Sequence, residues 1–259
     1  MLDNSWHKKE SPLLGLTGMG GGVGSNLLSA EGIAPYYDDL DPFSDSSQVG
    51  YWKLVSATTP NENSTGNTCS ALHGTPSFTT LDYSKYWNNP NDSSINTNHN
   101  PRDAYPVSFS IWCYKPTGDW SSGDQNQVLV NWSIGGQRLT ICCVDFNNDG
   151  SNWDWSIMYG GTGHWLFAPT SRPENQWMHL VYSVAGNNSS SSKVYQNGTA
   201  ISGSNQGGAH GGSSGTIIGG NATGVEDFNG WMYNVRVFNK QLSQSEAADL
   251  YAKDKPPGA

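Results

Sequence analysis

The sequence predicts an all-β protein, a two-sheet antiparallel sandwich with one short helix near its C-terminus. Three observations predict it. Short segments of alternating polarity recur from about residue 49 onward, each bounded by turn residues. An Asn197-Gly198 pair sits between two such segments, and that dipeptide favours a type I′ turn because both central residues need positive φ. Uncharged polar residues crowd the connections, while eleven Trp and twelve Tyr supply the bulk that strands accommodate.

The elements follow in order. "VGYWKLV" opens the series. In "YPVSFSIWCYKP", Val107, Phe109, Ile111 and Cys113 share one face, and Ser108, Ser110, Trp112 and Tyr114 the other. "QVLVNWSI", "QRLTICCVDF", "WDWSIMY" and "WMHLVYSVAG" continue the pattern. In "KVYQNGTAIS" the turn register sets Val194 opposite Ile201. A last strand alternates Trp231, Tyr233, Val235 and Val237 with Met232, Asn234, Arg236 and Phe238. Ser243 followed by Glu246 is a capping box, and Leu242 can staple to Ala247, so a short helix starts there. Ala247, Leu250 and Tyr251 share its docking face, and Pro256 and Pro257 stop its continuation. The strings "NNPNDSSINTNHN" and "NNSSSS" read as surface loops.

A length of 259 residues suffices for one large β domain with a sizeable core. The formal net charge is −9, and no Lys/Arg run exceeds Lys8-Lys9, so nucleic acid is excluded as an expected partner. The longest apolar runs are strand-sized, which argues against membrane insertion. Pro12 and the surrounding glycines interrupt any apolar core of a signal peptide. Of four cysteines, Cys142 and Cys143 are neighbours that point to opposite faces of a strand, which disfavours a metal cluster. Reduced core residues are the expectation, with one disulfide open if the protein matures outside a cell.

Residues 1–40 differ from the rest. They are apolar enough to bury something yet too Gly-rich to hold an element alone. One reading is an arm ordered on a partner, with Leu13, Leu14, Leu16 and Met19 as the anchoring residues; a flexible leader is the equal alternative.

Four stretches, in order, carry a family resemblance: the opening strand with its "GTP" approach, "VSFSIWCYKP", the "W-x-H … vYvNG" hairpin seen as "ENQWMHLVYSVAGNNSSSSKVYQNGTAIS", and the closing "FNGWMYNVRVFNKQLSQSEAADLY". The chain resembles the laminin G-like branch of the concanavalin A-like lectin/glucanase superfamily over residues 41–252, with 253–259 as a tail. The resemblance implies a jelly roll. The leader around "KKESPLLGLTGMGGGVGS" and "DLDPFSDSSQVGYWKL" is similar to that of such modules in tailed-bacteriophage virion proteins. That implies a non-enzymatic virion structural protein, a capsid decoration or a tail component. It would be assembled in the host cytoplasm, oligomeric in the particle, anchored to other virion proteins through the arm, and able to bind host-surface polysaccharide. The alternative is a secreted or displayed lectin-like module, extracellular, with calcium dependence left open.

Enzymatic members of the superfamily carry paired carboxylates on an E-x-D-x-x-E-like strand, and none of the six Glu sits in such a strand. "DFNNDG" offers Asp145, Asn147 and Asp149 as calcium ligands on alternate positions. A plain hairpin turn explains the same residues and carries more weight, since the twelfth position is Ser156 rather than a bidentate Glu. Exposed aromatics are the usual route to sugar binding. Trp120 in "TGDWSSGDQNQ" is the first candidate and Trp165 in "GGTGHWLF" the second, each read as a loop residue that contacts ligand or packs locally. Trp153 and Trp155 are assigned to the sheet, and Arg236 to an ion pair on the sheet face.

Overall fold

A computed structural model describes residues 41–54, 70–73, 77–81, 84–89, 94–97, 103–116, 126–134, 137–144, 153–160, 163–169, 173–207, 216–220, 226–228 and 230–256. In chain order the strands are β1 Gln48–Trp52, β2 Ser70–His73, β3 Ser77–Leu81, β4 Ser84–Asn89, β5 Ser94–Asn96, β6 Val107–Tyr114, β7 Asn126–Ile134, β8 Gln137–Val144, β9 Asp154–Tyr159 and β10 Gly163–Phe167. They continue with β11 Trp177–Val184, β12 Lys193–Gln196, β13 Thr199–Ile201, β14 Gly203–Gly207, β15 Ile217–Ile218 and β16 Gly230–Phe238, followed by helix α1, Gln244–Lys253. No helix among the described residues is long and apolar enough to cross a membrane.

The strands form two antiparallel sheets. One takes the order β13-β12-β11-β6-β16-β4-β3, and the other β14-β10-β9-β8-β7-β15-β5-β2. Strand β16 pairs with β6 along one edge, while β4 and β1 share its other edge, at Gly230–Met232 and Val235–Phe238 respectively. Alternation on β6 puts Val107, Phe109, Ile111 and Cys113 between the sheets, as its sequence pattern requires. The facing sheet contributes Trp132, Leu139, Ile141, Cys143, Trp155 and Ile157. Trp132 packs edge-on against Trp52 and Phe109, with centroids 6.0 and 5.4 Å apart. Cys142 and Cys143 do separate: Cys143 joins the core between the sheets, and Cys142 packs with Val128, Val144, Met158 and Leu166. Cys113, Cys142 and Cys143 are buried free thiols.

The hairpin signal holds in detail. Asn197 and Gly198 have φ of 52° and 76°, and Val194 pairs with Ile201. A Cβ on Gly198 would lie 2.9 Å from the Ala248 Cα of α1, so helix and hairpin approach too closely for any other residue. The Asn197 side chain accepts from the His179 amide at 2.9 Å, which fastens the turn to β11.

Two expectations need correction. The polar string at residues 88–100 is not all surface loop: it contains β5, with Ser94 and Ile95 buried. Long-range pairing of β5 with β15 and β2 overrides its loop-like composition. Strand β16 also fails to alternate evenly. Asn234 adopts φ 46° and the register shifts between Tyr233 and Arg236. This bulge turns Met232, Val235 and Val237 all to the core.

The bulge serves a buried polar cluster. Arg236 is fully buried and grips Asp254 with two hydrogen bonds, Nε to Oδ2 at 3.0 Å and Nη2 to Oδ1 at 2.9 Å. Its third nitrogen donates to the Gln48 side chain at 2.8 Å, and its guanidinium carbon lies 3.9 Å from the Tyr51 ring centroid. Asn234 donates to Asp254 at 2.8 Å and accepts from the Tyr51 hydroxyl at 3.0 Å. The assigned ion pair of Arg236 is therefore present, and its partner is the C-cap of α1.

Helix α1 starts as expected: the Ser243 hydroxyl accepts from the Glu246 amide and the Glu246 carboxylate from the Ser243 amide. Leu242, Ala247 and Leu250 bury against Val181, Tyr195 and Phe238, and Tyr251 stacks on Trp112 with centroids 5.7 Å apart. The helix ends at Asp254, before either proline, because that carboxylate is held by Arg236 and its amide by the Leu250 carbonyl at 2.8 Å.

Breaking a buried, hydrogen-bonded pair from one side leaves an uncompensated charge, at a cost of about 3–5 kcal/mol. Asp254→Ala is expected to lose that much in urea unfolding, and a loss below about 1 kcal/mol would contradict the assignment. His179 gives a pH dependence. Burial, and secondarily the charge of Arg236, lowers its pKa to about 3 from an ordinary 6.5. The folded state thus keeps it neutral while the unfolded chain takes up a proton, so stability falls as the pH drops below about 6.5, by up to about 1.4 kcal/mol per unit. Unfolding free energies from urea titrations at pH 6.5 and 5.5 should differ by about 1 kcal/mol less in His179→Gln than in the parent.

Candidate functional site

The edges of the two sheets come together where the chain passes from β13 to β14 through the single residue Ser202. Strand β14 then pairs with β10, with Gly203 opposite Phe167. A Cβ on Gly203 would fall 2.4 Å from the Phe167 ring, so only glycine lets the crossing chain lie on that aromatic. A cavity of about 300 Å³ opens at this edge. Trp165, Phe167, Tyr195 and Ile201 form its apolar surface, and Ser190, Lys193, Ser202 and Gln244 supply polar groups.

Trp165 is half-buried on β10. Its indole N–H donates to Asn188 Oδ1 at 2.9 Å, and Asn205 donates to the same oxygen at 3.4 Å. Asn188 takes the left-handed conformation, φ 50°, in a loop folded on itself. Within that loop the Ser192 amide donates to the Ser189 carbonyl at 3.0 Å, and the Ser192 hydroxyl takes the Ala185 amide at 3.1 Å and meets the Tyr159 hydroxyl at 3.1 Å. The aromatic wall is thereby fixed before any ligand arrives. Tyr195 is buried except at the cavity, and its phenol is held above its usual pKa, first by burial and then by the Glu246 charge. It therefore stays neutral, able to donate or accept a hydrogen bond.

No described lining residue carries a carboxylate, thiol or imidazole. The arrangement offers a flat aromatic surface, a phenol, serine hydroxyls, an amide and an ammonium. Such a set can stack an apolar ring face and satisfy hydroxyl groups around it. It has no described pair for acid–base or nucleophilic work.

Of the residues singled out from sequence, Trp165 lies in this cavity, on a strand rather than in a loop. Trp153 and Trp155 are buried in the sheet, as assigned. Trp120, the ligands Asp145, Asn147 and Asp149, and the anchors Leu13, Leu14, Leu16 and Met19 lie outside the described residues. The calcium-like segment falls between β8 and β9, which are antiparallel neighbours. Among the described residues no group of three His, Cys, Asp or Glu is placed to hold a metal. Glu226, next to Asp227 in sequence, pairs with Arg138 at 3.4 Å. Sequence reading missed Asn188, Lys193, Tyr195 and Gln244. Lys193 carried one signal, as the only Lys or Arg between Arg172 and Arg236.

Comparison with known proteins bears on the fold. The chain is similar to domain 4 of AbnA, a GH43 extracellular arabinanase from Geobacillus stearothermophilus, solved with arabinotriose: 18% identity and TM-score 0.55, over 79% of this chain and 98% of that one. It is similar to the binding domain of Paraclostridial Mosquitocidal Protein 1, at 17% identity and TM-score 0.57 over 79% of this chain and 52% of that one. The botulinum neurotoxin serotype D binding domain gives 16% and 0.52, over 80% and 50%. The chain spans about half the length of these two toxin domains. No curated protein matches the sequence. The model of the concanavalin A-like lectin/glucanases superfamily known as Laminin_G_3 matches residues 89–248, more than half of the chain. With its two-sheet antiparallel architecture, the chain belongs to the concanavalin A-like lectin/glucanases superfamily.

Proposed function

We propose that this protein is a non-enzymatic carbohydrate-binding module that takes a sugar in the cavity beside Trp165. The observation that carries the reading is the pinned indole: Trp165 is held by Asn188 and stands beside Phe167 and Tyr195 with hydroxyl and amide groups around it. A pyranose or furanose presents an apolar face and a ring of hydroxyls, which is the complement of that surface. The solved complex of the AbnA domain with arabinotriose, on the same fold, supports the choice of ligand class. The described lining, which has no carboxylate, supports binding over hydrolysis, since a glycosidase needs two carboxylates across the scissile bond. Calcium at Asp145, Asn147 and Asp149 is a separate proposal, carried by the D-x-N-x-D spacing.

A second reading keeps the same module as a virion component, a capsid decoration or tail protein anchored through residues 1–40. Its support is the N-terminal sequence resemblance, in residues outside the described ones. The two readings are compatible, because display on a particle leaves the sugar cavity free to act.

A glycan array probes the first reading. Trp165→Ala should lose at least about tenfold in retention, the equivalent of about 1.4 kcal/mol of stacking. Asn188→Gly, which frees the indole and suits the left-handed backbone at that position, should lose a few-fold with little change in thermal stability. Wild-type retention on Trp165→Ala would sink the site, and a loss of signal in EDTA is the result that supports calcium. For the virion reading, deletion of residues 1–40 should abolish incorporation into particles; normal incorporation would discard it.

A further inference from the structure

We infer that the Trp165 cavity selects sugars bearing a negative charge, a carboxylate or a sulfate or phosphate ester, through Lys193 and the first turn of α1. The inference rests on the carbohydrate reading and deepens it.

The protein as a whole is acidic, with 22 Asp and Glu against 13 Lys and Arg. The cavity inverts that balance. Among its described lining residues the only charged side chain is Lys193, an exposed residue at the start of β12. No acidic side chain among the described residues pairs with it; the described ion pairs join Arg138 to Glu226, Arg236 to Asp254, Lys240 to Asp45 and Glu246, and Lys253 to Asp249. Glu246, on the first turn of α1, keeps its carboxylate on Lys240, which it shares with Asp45, and on the Ser243 amide and hydroxyl, and it is not among the cavity's lining residues.

Gln244, the first residue of α1, also lines the cavity. The capping box satisfies the Glu246 amide, and the Gln244 and Ser245 amides have no intrahelical acceptor by the geometry of a helix start. They are the positive end of a ten-residue helix whose first residue, Gln244, borders the cavity. The independent observation is Tyr195. It is 6% exposed, lines the cavity, and its hydroxyl has no hydrogen-bond partner among the described residues. The phenol oxygen is open at the cavity rather than sealed away, so it can donate to a ligand acceptor there. Ammonium, helix amides and phenol together suit an anionic acceptor, and the aromatic wall suits the ring that bears it.

The test is a glycan array of paired neutral, carboxylated, sulfated and phosphorylated oligosaccharides, read at low and high salt. Acidic members should be retained about fivefold to tenfold better than their neutral partners at low salt, with the preference shrinking as salt rises. Lys193→Gln should bring the two classes within twofold of each other, and Lys193→Arg should restore the preference. The carboxylated and ester arms distinguish the sources of charge. Equal retention of both classes by the parent protein, or a preference that survives in Lys193→Gln, overturns the charge selection and leaves carbohydrate binding standing. Retention of no glycan at all overturns both.

Discussion

The contact between Arg236 and Asp254 binds together three separate parts of the described structure, the first strand, the last strand and the end of α1. Both side chains are out of water, and a buried ion pair persists only when its remaining donors and acceptors are filled. That requirement recruits Gln48 and Tyr51 from β1 and Asn234 from β16. Asn234 reaches its place because it occupies the left-handed conformation inside the bulge, a position where Asn is among the few tolerated residues. The cluster therefore ties the first strand, the last strand and the end of α1 together in one polar knot. It also fixes where the helix stops.

The position of the helix has consequences at its other end. With the C-cap held by Arg236 and the N-terminus closed by Ser243 and Glu246, α1 lies over Val181, Tyr195 and Phe238 and meets the Asn197-Gly198 turn. Gln244 is then delivered to the rim of the Trp165 cavity. The cavity forms because the chain leaves one sheet at Ile201 and enters the other at Gly203, so the two edges share a connection one residue long. A fold of this class hosts many activities, and the argument for this one comes from the side chains at that edge.

Much of the fold was legible in the sequence because its signals are local. The period-two pattern of β6, the Asn-Gly turn and the capping box each depend on residues within one or two turns of chain, where sterics and short hydrogen bonds decide the outcome. The errors came where distant partners decide. Ser94 and Ile95 sit in an Asn-rich string, yet they form a strand because β15 and β2 pair with it. The alternation of β16 breaks at Asn234 because Asp254, twenty residues on, needs a donor there.

The site was legible only in part. Trp165 stood out as an aromatic just after a Gly-rich stretch, but Asn188, Tyr195, Lys193 and Gln244 gave no joint signal, since they come from a loop, a strand and a helix on separate segments. The sequence by itself determined the fold class, the hairpin, the helix start and the pairing role of Arg236, all set by local geometry or by the cost of burying charge. Only the tertiary structure decided which carboxylate answers Arg236, which way the last strand turns its side chains, and that one lysine, one phenol and one indole share a cavity. Those outcomes depend on the packing of two sheets, whose contacts join residues that no local pattern connects.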